Sequence, residues 1–193
     1  MIKAQIISNL YNQVRKLIPE VNEIFIGGGC IRDYFNRCSS FKDIDFFVEA
    51  KDRTEAESIL EKVRTVFGKE ENLSKEEFEQ YENFRNIINV SEFKFRFNSP
   101  FQLIFIKRIN KNLPFTEEVF STFDFNINCS YYNDKDGFKE TNESKTDRIQ
   151  MSFTIRTCHN NGLELQKIVA KFIRLQESKY KDYILYYNKD SFK

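Results

Sequence analysis

Apolar side chains return every three to four positions between residues 3 and 18. Ile6, Leu10, Val14 and Leu17 form one stripe with Ile7, Tyr11 and Ile18 beside it, which predicts an amphipathic helix with Pro19 just past its end. A short apolar run, residues 23–26, predicts a strand that leads through glycines into a helix from about Cys30 to Arg37. Residues 43–49 predict a second strand. Thr54 and Glu57 then read as a capping box for a helix carrying Ala56, Ile59, Leu60 and Val63, closed by Gly68. Ser74 and Glu77 repeat that signature. Phe93, Phe95 and Phe97 alternate with Lys94 and Arg96, and after a turn at Asn98-Ser99-Pro100 a further strand covers 102–106. A helix at 115–121 precedes a predicted strand at 123–132. Along it Phe125, Ile127, Cys129 and Tyr131 point one way, and Asp124, Asn126, Asn128 and Ser130 the other, as on a sheet flooring a wet cleft. Residues 134–147 read as a polar loop. A final helix at 162–177 is expected to bury Leu165, Ile168, Val169, Phe172 and Ile173. The order is α/β (α+β), with a main domain over 1–150 and a C-terminal helical appendage, 151–193, packed on it.

Within this frame two short blocks carry the candidate chemistry. Gly27-Gly28-Gly29 follows an apolar run and opens a helix, which puts bare backbone at a helix N-terminus. Free N–H groups and the helix dipole favour an anion there, such as a triphosphate. Asp43 and Asp45 lie two apart in a strand, so their carboxylates share a face while Ile44, Phe46 and Val48 line the other or follow. Two adjacent hard oxygen ligands suit Mg²⁺ (or Mn²⁺), which completes its shell with substrate phosphates. A dinucleotide fold is excluded because Arg32 stands where the third glycine of its fingerprint should be, and a P-loop because no Lys-Ser/Thr follows the glycines. The plain alternative is a glycine turn and an exposed acidic strand. It sits poorly with charge set among apolar residues, where unpaired carboxylates are costly.

Composition adds bounds. At 193 residues, 40% hydrophobic and 31% charged, the chain is long enough for a real core. No apolar run approaches membrane-spanning length, and Asn9 and Tyr11 interrupt any signal-peptide pattern. Four cysteines without C-x-x-C spacing and a single histidine disfavour structural zinc and suit a reducing cytoplasm. His159, before Asn160-Asn161-Gly162, reads as a turn residue. The net charge of +1 provides no global drive toward nucleic acid. A local RNA patch is expected, if anywhere, on the helix stripe Lys167, Lys171 and Arg174, with Lys107, Arg108 and Lys111 as neighbours; a solvated helix face is the alternative.

Gly28-Gly29-Cys30-Ile31-Arg32-Asp33 with Lys42-Asp43-Ile44-Asp45 resembles the head domain of class II nucleotidyltransferases, the group of tRNA CCA-adding enzymes and bacterial poly(A) polymerases within the DNA polymerase β superfamily. Phe123-Asp124-Phe125-Asn126-Ile127-Asn128-Cys129 is similar to a second block of that domain. The likeness covers roughly residues 20 to 135. It implies a mixed β-sheet with helices packed on one face. It also implies nucleotide contacts at Gly28, Gly29, Cys30, Arg32 and Asn128, metal at Asp43 and Asp45, and a catalytic role for Asp124, as third metal ligand or ribose contact. Phe123 departs from the family's arginine, the base-reading motif is not recognisable, and residues 36–40 replace a glycine-centred turn. CCA-adding enzymes also carry helical neck, body and tail domains, for which this length leaves no room.

The expected reaction moves a nucleoside monophosphate from an NTP (ATP or CTP) to an acceptor hydroxyl, with release of pyrophosphate and two metal ions assisting. An RNA 3′ end is the first expected acceptor, a protein or small molecule the second. A silent nucleotide- or RNA-binding subunit is a third reading, disfavoured by the intact carboxylate pair.

Overall fold

The strand that carries Asp45 and begins just after Asp43 is the centre of the architecture. The computed structural model describes residues 2–71, 86–95, 100–156 and 162–187. Helix α1 (Ile2–Leu17) leads to β1 (Ile24–Gly27), α2 (Gly29–Phe35), β2 (Ile44–Glu49) and α3 (Arg53–Phe67). Then come β3 (Ile87–Phe93), β4 (Phe101–Ile106), α4 (Phe115–Phe120), a single 3₁₀ turn at Asn126–Asn128, β5 (Ser130–Asn133) and β6 (Gly137–Glu140). Helix α5 (Asn142–Gln150), β7 (Ser152–Ile155), α6 (Gly162–Ser178) and β8 (Ile184–Tyr187) close the chain.

Six strands form one mixed sheet in the order β3-β4-β2-β1-β5-β6, and β7 pairs in parallel with β8 in a second, two-stranded sheet. Among the described strands of the main sheet, β2 and β4 are parallel and the other pairs antiparallel. The alternation of β2 sorts its side chains cleanly. Ile44, Phe46 and Val48 face α1 and α3, and join Ile7, Leu10, Val14, Ile59, Leu60 and Val63 in the largest core. Phe47, on the opposite face, packs with Phe25, Ile104, Ile106 and the α4 residues Phe115, Val119 and Phe120. Asp43 and Asp45, unlike Phe47, are only partly buried. A third core joins Phe125 and Ile127 to Phe153, Ile155, Ile168, Phe172 and Tyr180, so side chains from either side of residue 150 interlock.

Several expectations are corrected. The α3 N-cap is Asp52, whose side chain accepts from Glu55 N–H, rather than Thr54. The strand expected around Phe93–Phe97 lies earlier, over Ile87–Phe93, so Phe95 falls past its end and Arg96 and Phe97 lie outside the described residues. The strand expected over 123–132 breaks at the 3₁₀ turn and starts only at Ser130, so Phe125 and Ile127 enter the third core while Cys129 enters the second. The loop expected at 134–147 holds β6 and the start of α5. Ile173 is exposed rather than buried. The capping signature at Ser74 and Glu77, and His159, lie outside the described residues.

Candidate active site

Pairing across the sheet brings four strands to one row. Gly27 on β1 stands opposite Asp45 on β2, Asp45 opposite Gln102 on β4, and Gln102 opposite Glu92 on β3. The glycine turn therefore begins beside the carboxylate that the alternation isolates. Gly28 holds φ +73°, the left-handed region that glycine enters without a steric penalty. A Cβ placed on it would lie 3.6 Å from Asp45 Oδ2 and 3.9 Å from the Phe123 ring, so the turn, the carboxylate and Phe123 converge on one spot. Phe123 stacks at a tilt on Phe47 and Phe120, which places an aromatic face at the rim of the cleft.

The electrostatics of the aspartates are those of an incomplete site. Burial pushes the Asp45 carboxyl well above its ordinary range, and the neighbouring Asp43 adds to the shift. Burial likewise raises Asp43, against the nearby Lys42 ammonium. The only ion pair of either aspartate among the described residues is the loose one between Lys42 and Asp43, at 4.0 Å and with the lysine fully in water. Two hard carboxylates, both partly exposed and short of counter-charge, fit a divalent cation. Among the described residues no three His, Cys, Asp or Glu side chains form a group that could hold a metal ion.

Glu92 is the residue that sequence reasoning missed. It accepts a hydrogen bond from Gln102 Nε2 at 2.8 Å and adds to the negative field on Asp45. An acid two strands away in register was the available signal, hidden because the strand was placed too late.

The other candidate residues lie as follows. Cys30 is buried, its thiol turned back toward the Gly27 carbonyl, so only its backbone N–H faces the turn's ligand side. Arg32 is 6% exposed and its guanidinium is enclosed. It donates to Asp33 Oδ1 through Nε and Nη2 at 2.9 and 2.7 Å, to Tyr180 Oη at 2.9 Å, and to Asn128 Oδ1 at 3.0 Å. Asn128 is thus tied to Arg32 inside the molecule. Asp124 reaches the site region from the loop after α4 rather than from a strand beside β2. It forms an ion pair with Lys171 of α6. Lys167 and Arg174 are exposed on the same helix, so Lys171 alone of that stripe is drawn toward the site.

The mixed sheet, with its glycine turn beside Asp45 at the start of β2, is a nucleotidyltransferase fold, as known structures show. A CCA-adding enzyme solved with ATP superimposes with a TM-score of 0.63 at 18% identity over 92% of this chain and 39% of that one. The Thermotoga maritima CCA-adding enzyme complexed with tRNA gives 0.61 at 16% identity, over 95% and 40%. The Bacillus stearothermophilus enzyme in complex with CTP gives 0.57 at 11%, over 93% and 40%. The chain thus spans about two fifths of the length of these enzymes. No curated protein matches it in sequence. The family is shown by a direct match over residues 2–157: the chain belongs to the Gabija anti-defense 2 (Gad2) family.

Proposed function

We propose that the protein is a metal-dependent nucleotidyltransferase, moving a nucleoside monophosphate from an NTP to an acceptor hydroxyl. The observation that carries this reading is the aspartate pair, short of counter-charge and set against the Gly28 turn. Asp43 and Asp45 would hold a divalent cation, which when bound neutralises triphosphate charge and acidifies the acceptor hydroxyl. The backbone N–H groups after Gly28 face the β- and γ-phosphates, where a side chain would obstruct their approach. Glu92, two strands away and engaged by Gln102, would add to the negative field around the pair rather than complete its ligand set. Asp124, held by Lys171, would take a ribose hydroxyl only if that ion pair opened. The acceptor oxygen bonds to the α-phosphorus as the bond to the β-phosphate oxygen breaks, and the hydroxyl proton is lost. Such transfers ask the protein mainly to position groups and neutralise charge.

The acceptor has two readings. An RNA 3′ end suits the structural likeness to CCA-adding enzymes. A protein or small-molecule acceptor is favoured by the engagement of Lys171 with Asp124, which removes the middle of the basic stripe. The family's name sets its members against the Gabija defense, so on this second reading a component of that system is the first acceptor to test. The test incubates the protein with each α-labelled NTP and Mg²⁺, in lysates with and without Gabija and with total RNA. Label transferred to a discrete species by wild type, and not by Asp45→Asn, supports the reading. No transfer in any combination overturns it.

A further inference from the structure

The least expected contacts of the molecule join the two ends of its sequence. Directly after α6, Lys179 and Tyr180 reach back across the fold to α2 and the loop before β2. Tyr180 is 2% exposed. Its hydroxyl accepts from Arg32 Nε at 2.9 Å and donates to Asp33 Oδ1 at 2.7 Å. The Lys179 ammonium binds Asp33 Oδ2 and also the Ser40 carbonyl at 2.8 Å. Tyr183 donates to Asn36 Oδ1 at the end of α2. The ring of Tyr180 is held edge-on against Phe153 and Tyr183, and the Arg32 guanidinium lies 5.1 Å from its centre.

These contacts bracket the site. Arg32 and Asp33 lie one helical turn beyond Gly28, and Arg32 continues the chain of bonds to Asn128. Ser40 lies three residues before Asp43. One short segment therefore grips the helix that follows the glycine turn and the loop that delivers the first aspartate. A buried charged cluster of this kind is rigid only while every member is satisfied. The segment also falls beyond residue 157, where the family match ends.

We infer that Tyr180 and Lys179 are positioning residues for nucleotide binding: acting through Arg32 and Asp33, they set the glycine turn against the Asp43/Asp45 pair. This rests on the nucleotidyltransferase reading. In it Arg32 serves as a strut rather than as a phosphate ligand.

The test uses the full chain and measures affinity for Mg²⁺ complexes of ATP and CTP analogues bearing an α,β-methylene bridge, by calorimetry well below the unfolding temperature. Tyr180→Phe keeps the ring and removes only the hydroxyl. It should weaken analogue binding about tenfold, as loss of a supporting hydrogen bond commonly does. In an Asp33→Asn background the same substitution should add less than about twofold, because its effect passes through Asp33. Lys179→Gln, at a partly exposed position, should weaken binding severalfold, and it carries the test should Tyr180→Phe fail to fold. A lowered melting temperature with unchanged analogue affinity overturns the proposal, as does an undiminished effect in the Asp33→Asn background. If wild type binds neither analogue, the nucleotidyltransferase reading itself falls. If wild type binds and Asp45→Asn does not, that reading stands whatever Tyr180→Phe does.

Discussion

Asp43 and Asp45 sit close together and partly removed from water, so the metal-free fold carries their charge at a cost. Both carboxyls titrate above their ordinary values because of burial, and Asp45 also because of Asp43. The folded state thus holds protons that the unfolded chain has released, and stability falls as pH rises from the ordinary carboxylate range through the raised folded values. Above that window the full penalty is present. Asp45→Asn should therefore stabilise the metal-free protein at pH 8, since it removes a charge that burial disfavours. The gain should shrink toward zero near pH 4, and urea unfolding at the two pH values measures it. In wild type, Mg²⁺ or Mn²⁺ should raise the melting temperature at pH 8 and lose that effect on acidification; Asp45→Asn should show neither. At the neighbouring turn, Gly28→Ala must place a side chain at φ +73° and 3.6 Å from Asp45 Oδ2. A loss of about 1–2 kcal/mol is expected in the same assay, together with weaker NTP binding.

Elements show how much was readable and where it stopped. The glycine turn and the aspartate strand stand out in sequence because each breaks a local rule, bare backbone in one and charge among apolar residues in the other. The nucleotidyltransferase sheet expected from them is the one observed. Helix α5 was hidden for the opposite reason. Its buried side chains are Ser144 and Asp147, so no apolar stripe marks it, and Thr141 capping the Ser144 N–H is its main local signal. Strand β5 was overextended because Phe125 and Ile127 keep the period of a strand while serving a different core. Tyr180 and Lys179 carry no signal at all: their partners are about 140 residues away, and only the fold introduces them. Helix α3 offers a clean local test. Asp52→Ala removes its cap and should cost about 1 kcal/mol by thermal or urea unfolding, whereas Thr54→Ala should cost little.

For the molecule as a whole, the third core decides whether the C-terminal segment stays docked. Phe153 touches Phe125, Phe172, Tyr180 and Tyr183. Phe153→Ala should cost about 3–5 kcal/mol and expose the segment after residue 156 to limited proteolysis. The overall charge of +1 leaves any RNA contact to local patches. Replacing Lys167, Lys171 and Arg174 by Gln separates the two acceptor readings. With an RNA acceptor, each lost phosphate contact lowers the slope of log K against log salt by about 0.7 to 0.9. With a protein acceptor, the slope for RNA does not change.

The pleat of β2 has one more effect, felt while the chain assembles. Sliding β2 by one residue against β1 or β4 would keep most backbone pairing yet turn every side chain over. Asp43 and Asp45 would then be driven among Leu10, Val14 and Leu60, while Ile44, Phe46 and Val48 moved to the face that holds Phe47. A strand of plain alternating hydrophobics on both faces would pass through such a slip cheaply. Here the two acids act as a proofreading device: the residues assigned to the proposed chemistry also make the misaligned sheet the least tolerable one.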